Sequence, residues 1–82
     1  MERIGFPLVK VVWIDAESSD EWEDIEGVDR HCKEIITIGH LIEDSELHLV
    51  LAMNLDLYND CCSMTMTIPN HWIEAIEELI IA

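Results

Sequence analysis

Short stretches of alternating apolar and polar residues constrain the fold of this chain more than any other feature. SMTMTI, residues 63–68, places Met64, Met66 and Ile68 on the inward side of a strand and three hydroxyl side chains on the other side. LHLVLAMNL (47–55) alternates in the same way, and LVKVVWI (8–14) and KEIITIGHLIED (33–44) are rich in β-branched residues. This pattern predicts a mainly β fold, with Gly39 marking a bulge or sharp bend in the second strand.

The last segment, PNHWIEAIEELIIA, is compatible with two structures. A helix capped by Asn70 would place Trp72, Ile73, Ile76, Leu79 and Ile80 along one stripe. A strand that follows a turn at 69–71 would point Ile73 and Ala75 one way and Glu74, Ile76 and Glu78 the other. We favour the strand, because an open four-stranded sheet would leave a long edge unpaired.

The stretch WIDAESSDEW (13–22) ends an apolar run and begins an acidic one. Ser18 and Glu21 match a capping box, acidic residues fall in the first turns, and Gly27 is placed to end a helix in the left-handed conformation. We therefore expect a short acidic helix after the first strand, with Trp22 and Ile25 on one face. The predicted fold is a five-stranded SH3-like or Sm-like barrel with this one helix, and residues 1–82 form a single domain.

Size and charge together indicate self-association. The chain has 82 residues, half of them apolar, and a formal net charge of −14. A chain this short has a small core, and contacts between subunits supply the burial that one core lacks. We therefore expect a homo-oligomer.

The charge balance also limits the partners. Nucleic acid is not expected as a direct partner, because eighteen acidic residues outnumber four bases, which are Arg3, Lys10, Arg30 and Lys33. Long-range attraction favours a cationic protein instead, although solubility alone would also explain the acidity.

Cysteine use and hydropathy indicate a cytoplasmic protein. Cys32, Cys61 and Cys62 are odd in number and two are adjacent, which does not suit a disulfide framework. No apolar run is long enough for a membrane span, and Pro7, Lys10 and Asp15 interrupt any signal-like stretch.

Two motifs give the chain a resemblance to a group of small phage-encoded proteins of unassigned function. The opening motif is Trp13, Asp15, Ala16, Ser18 and Trp22; the strand IITIGHLI follows; the ending motif is Ile68, Pro69, Ile73, Ile76 and Leu79. Proteins of this group look like small SH3-like or Sm-like barrels, and the resemblance implies a terminal strand, a phage origin and the cytoplasm of the host cell. His40 stands where the group more often has an aromatic residue. The resemblance implies no activity.

Metal and catalytic sites fit the sequence poorly. An EF-hand template would use Asp15, Glu17, Ser19, Glu23 and Glu26, but Asp20 occupies the position at which the loop needs glycine. His31-Cys32 and Cys61-Cys62 could supply four zinc ligands, but neither pair has the usual spacing. Nothing activates a cysteine nucleophile, and the acidic residues lack the apolar pocket that a general acid needs. We therefore expect no metal, no cofactor and no enzyme activity.

The three tryptophans, Trp13, Trp22 and Trp72, are expected to anchor the core, although one or two could line a groove for a partner. Met53, Met64 and Met66 are likewise expected to fill the core.

The leading hypothesis is a non-catalytic phage accessory protein that acts through protein–protein contact. Segment Asp15–Asp29, with eight acidic residues and no base, would mask a cationic surface of a host protein, for example in counter-defence. One alternative is an oligomer that sequesters a nucleotide second messenger with its few bases; another is a structural or assembly accessory. The candidate binding residues are Asp15, Asp20, Trp22, Glu23, Glu26 and His40.

Overall fold

The computed structural model describes residues 6–16, 18, 21–28 and 31–80. Five strands account for most of them: β1 (Leu8–Asp15), β2 (Lys33–Asp44), β3 (His48–Asp56), β4 (Cys61–Pro69) and β5 (Ile73–Glu78). Single 3₁₀ turns lie at Ile25–Gly27, between β1 and β2, and at Asn70–Trp72, between β4 and β5. The mainly β prediction is confirmed.

The strands form one antiparallel sheet in the order β4-β3-β2-β1-β5. β1 pairs with β2 without interruption, from Leu8 opposite His40 to Asp15 opposite Lys33. β4 and β5 are the two edges, and the sheet is not closed between them. Five strands in one sheet therefore agree with the prediction, whereas closure into a barrel is not observed.

The core lies on one face of the sheet, as the alternation within β1 requires. Val9, Val11 and Trp13 of β1 are buried against Leu49 and Leu51 of β3. Because β2 separates β1 from β3 in the sheet, these side chains can meet only if the sheet curls over its inner face. The curled part of the sheet is the hydrophobic centre of the molecule.

Gly39 marks the point at which β3 joins β2. A Cβ atom at this position would lie 3.1 Å from the Ala52 carbonyl oxygen and 3.3 Å from the Leu51 Cβ. The pairing of β2 with β3 begins at the next residue, His40, opposite Ala52, and its register shifts between Leu41 and Glu43. The predicted irregularity in β2 is therefore present as a bulge at Ile42, three residues beyond the glycine.

The last segment forms a strand, as expected, and a bulge explains its helix-like spacing. Trp13 pairs with Ile73 and Val12 with Ala75, so that Glu74 is the extra residue of β5. Ile76 then pairs with Val11 and lies on the same face as Ile73. The expectation that Ile73 and Ile76 point to opposite faces is wrong for this reason.

The predicted acidic helix after β1 is not observed, and this expectation is also wrong. The described part of that segment contains one 3₁₀ turn of three residues, and Gly27 within it does not have a positive φ. Trp22 and Ile25, which were to form the buried face, are exposed. A short helix without an apolar surface to pack on does not recover the cost of its nucleation.

Candidate functional site

The described residues of the connection between β1 and β2 are all exposed. Glu21, Glu23, Asp24 and Glu26 are all exposed in it. The Trp22 side chain in their midst is fully exposed, and that of Ile25 is 82 % exposed. The segment therefore presents carboxylates and large apolar side chains together.

Asp15 and His40 lie at opposite ends of the β1–β2 pairing and are held differently. Asp15, at the end of β1, accepts a hydrogen bond from the Ala16 backbone N–H at 2.9 Å and lies opposite Lys33. His40 lies half-buried with its Nδ1 3.1 Å from the Phe6 carbonyl oxygen. His40 lies seven positions after Lys33 in β2, which is about 23 Å along the strand.

The structure therefore brings some of the predicted site residues together and separates others. Trp22, Glu23 and Glu26 share one exposed segment, and Asp15 lies at its start. His40 belongs to a different part of the molecule. Asp20 lies outside the described residues.

Metal-ligating residues do not converge in the part of the chain that the structure describes, where no group of three His, Cys, Asp or Glu could hold an ion. Cys32 lies just before β2, whereas Cys61 and Cys62 begin β4 after the turn that follows β3. All three thiols are exposed. Glu17 and Ser19 of the calcium template lie outside the described residues.

The three tryptophans have three different environments. Trp13 is 7 % exposed, and its ring stacks on that of Trp72 with centroids 6.3 Å apart and an angle of 13° between the planes. Trp72 is partly exposed, and Trp22 contributes nothing to the core. The expectation that the tryptophans anchor the core is confirmed for Trp13 and is wrong for Trp22, and Trp72 stacks on Trp13 from outside the buried cluster.

An apolar groove, which the sequence did not predict, opens where β2 and β3 diverge. β2 and β3 pair only from His40 and Ala52 to the turn that joins them. The earlier part of β2 continues beside β1 alone, and the later part of β3 continues beside β4 alone. The space between them has a volume of about 380 Å³ and is lined by Ile36, Thr37, Ile38, Gly39, Leu51, Ala52, Met53, Met64, Thr65 and Met66. The three methionines are exposed, so the expectation that they fill the core is wrong.

The chain matches none of the known protein families, curated proteins or solved structures with which it was compared. Within the ranges that the structure describes, no helix has the length and apolar character needed to cross a bilayer.

The bases do not form an anion site in the described structure. The Lys10 ammonium lies 3.9 Å from the Glu77 carboxylate, and Lys33 lies at the far end of the β1–β2 pair. Neither lysine lines the apolar groove. Arg3 and Arg30 lie outside the described residues.

Proposed function

We propose that this chain is a non-catalytic protein-binding module whose acidic segment, Asp15–Asp29, docks onto a cationic surface of another protein. The exposure of Trp22 among carboxylates carries the proposal. A fully exposed tryptophan beside the exposed Ile25 offers a partner a large apolar anchor, and tryptophan is among the residues most enriched at the energetic centres of interfaces.

The charges around Trp22 define the chemistry of the partner. Glu21, Glu23, Asp24 and Glu26 lie within four residues of Trp22 in the chain, and the segment as a whole contains eight acidic residues and no base. Such a surface attracts a lysine- and arginine-rich protein and repels phosphate backbones. The indole would contribute affinity, and the carboxylates would contribute association rate and selectivity.

The motif resemblance supplies the biological setting of the proposal. The Trp13-to-Trp22 opening and the Ile68-to-Leu79 ending are similar to those of small phage-encoded proteins. We accordingly propose a phage accessory protein that masks a cationic host protein in the host cytoplasm, as counter-defence would require. That the curled sheet is a partly open SH3-like or Sm-like barrel, with β4 and β5 as its edges, belongs to the same proposal. It is supported by the single turn Asn70–Trp72, which joins the two edge strands.

Nucleotide sequestration and a purely structural role are the alternatives. The groove is apolar, and neither Lys10 nor Lys33 lines it, which favours protein binding. Thermal-shift measurements with cyclic oligonucleotides test the alternative directly, since a ligand that binds the folded state raises the melting temperature.

A cationic peptide is a suitable probe of the acidic segment. We would follow the fluorescence of the protein while titrating a lysine-, arginine- and leucine-rich peptide, because burial of Trp22 shifts its emission to the blue. Raising the salt concentration from about 0.05 to about 0.3 M should weaken binding at least about tenfold. A salt-independent affinity would contradict the proposal.

Two sets of four substitutions with the same charge change locate the binding surface. The loop set is Glu21→Gln, Glu23→Gln, Asp24→Asn and Glu26→Gln. The control set, at exposed acids of the strands and the β2–β3 turn, is Glu34→Gln, Glu46→Gln, Glu74→Gln and Glu78→Gln. The loop set should abolish most of the binding, whereas equal losses from both sets would show that only net charge matters.

A further inference from the structure

The protein exposes more surface than a compact chain of its size. Its radius of gyration is 16.6 Å, whereas a folded domain of this length has about 12 Å. Its accessible surface is 6914 Å², about 1,900 Å² more than a compact monomer of the same mass. The described residues of the acidic connection are exposed, and so are all of residues 56–67 in the β3–β4 hairpin. One partner contributes about 800 Å² to a standard interface, so the excess is large enough for one.

The apolar part of this surface is concentrated on the hairpin and the groove beside it. Met53, Met64 and Met66 are between 42 % and 67 % exposed, and Ile36 and Ile38, across the groove, are 59 % and 48 % exposed. None of the residues that line the groove is ionisable. A surface of this kind, on a chain with a net charge of −14, indicates an apolar, uncharged occupant.

The edge strand β4 has the same character along its whole length. Its sequence, CCSMTMTIP, contains no charged residue, and eight of its nine residues are exposed. The opposite edge, β5, carries Glu74, Glu77 and Glu78. Proteins normally protect an exposed edge with charge, as β5 does. The edge of β4 is therefore free to accept another strand without bringing charges together.

The five central residues of β4 are symmetric in the chemical class of their side chains. Ser63, Met64, Thr65, Met66 and Thr67 alternate hydroxyl and thioether side chains symmetrically about Thr65, which is also the central residue of the strand. In an antiparallel pair about a twofold axis, residue i contacts residue j of the partner and residue j contacts the partner's residue i, so this order sets like side chains opposite each other.

We propose that two copies of this chain form a dimer by pairing β4 with β4, antiparallel, about a twofold axis at Thr65. Met64 then lies opposite the partner's Met66 on the groove side, and Ser63 lies opposite the partner's Thr67 on the other side. Cross-strand pairs of hydroxyl residues and of apolar residues are both stabilising. The two sheets join into one, and the methionines of each copy cover the groove of the other.

Pairing along β4 would change the backbone at Met64. Met64 has a φ of 55°, in the left-handed region, and the β3–β4 ladder passes from Ala52–Thr65 to Asn54–Ser63 across it. The left-handed conformation is unfavourable for a residue with a Cβ. Extension of Met64 in a paired strand would remove that cost.

Two lysine substitutions test the proposed axis. Thr65→Lys places two ammonium groups opposite each other at the axis, and should raise the dimer dissociation constant at least about tenfold. Ala75→Lys makes the same charge change on the exposed edge β5 and should leave the dimer intact. Sedimentation equilibrium gives the masses, with Thr65→Ser as a conservative variant that stays dimeric and circular dichroism as the check on folding.

Cross-linking tests the register even if Thr65→Lys does not fold. In a chain with Cys32, Cys61 and Cys62 replaced by serine, Thr65→Cys should form a disulfide dimer on oxidation, because paired strands bring opposite Cα atoms within bridging distance. Ala75→Cys should not. A monomeric mass for the wild-type protein, or dissociation by Ala75→Lys, would overturn the proposal. Either result would leave docking of the acidic segment untouched.

Discussion

The indole N–H of Trp13 donates a hydrogen bond of 2.9 Å to the hydroxyl of Thr37 on the neighbouring strand. The same hydroxyl lies 3.9 Å from the sulfur of Met66, toward which it donates. Thr37 thus connects the most buried aromatic side chain of the core with the exposed methionine edge, and it provides the polar partner that the Trp13 indole needs when it is buried.

Thr37→Val should destabilise the protein by about 1 to 2 kcal/mol, because it keeps the shape of the side chain and leaves the Trp13 N–H without its acceptor. Urea unfolding at a fixed protein concentration measures the loss. The same substitution in a Trp13→Phe background should cost much less, since no indole N–H remains. Equal costs in the two backgrounds would show that the hydrogen bond is not responsible.

Gly39→Ala should destabilise the sheet by about 1 to 3 kcal/mol, because the new methyl group would press against the Ala52 carbonyl oxygen and the Leu51 side chain. Gly27→Ala is the matched control, since a Cβ there meets no atom within 4 Å. Removing a glycine restricts the unfolded chain, so this control should be neutral or slightly stabilising. Thermal unfolding of the two variants distinguishes a local clash from a general effect of alanine.

The turn between β3 and β4 should be sensitive to acid. The Asn59 side-chain amide donates to the Asp56 carboxylate at 2.8 Å, and the backbone N–H groups of Asn59 and Tyr58 donate at 3.2 and 3.1 Å. These donors, with the Asn59 side chain first, hold the pKa of Asp56 below its ordinary value of 3.8. The carboxylate therefore stabilises the turn above about pH 3.8, and this contribution is lost as the pH falls through the lowered pKa.

An NMR titration of the Asp56 carboxyl carbon checks this expectation. Asn59→Ala should raise the pKa of Asp56 toward the ordinary value, because it removes the strongest donor. Asn54→Ala, which removes a hydrogen bond to Ser63 instead, should leave the Asp56 titration unchanged. A midpoint at or above 3.8 in the wild-type protein would contradict the prediction.

Trp22→Ala should leave the free energy of unfolding within about 0.5 kcal/mol of the wild-type value, because the side chain is fully exposed. The substitution should nevertheless remove most of the affinity for the cationic peptide probe. Tyr58→Ala is the control, since Tyr58 is an equally exposed aromatic residue on the hairpin. Loss of peptide binding in both variants would mean that exposed aromatic residues bind it without selectivity.

Much of the local structure could be predicted from the sequence, because strand formation depends on alternation over a few residues. The bounds predicted for β2 agree with the structure, and those of β3 differ by one residue at each end. The exposed acidic character of residues 21–26 also followed from composition. The local signals failed at the predicted helix, where the capping pattern was present but an apolar surface to pack on was not.

The amino-acid sequence by itself determined that this protein is a β-sheet with a concentrated acidic connection, because backbone period and charge are properties of neighbouring residues. The tertiary structure decided which apolar residues are covered. Alternation placed Met64 and Met66 on the same face as Ile68, and the register agrees, yet Ile68 is buried and both methionines are exposed. The reason is that β2 pairs with β3 only from His40 onward. Before that residue the two strands separate, so the sheet curls over one end of β4 and leaves the other end open.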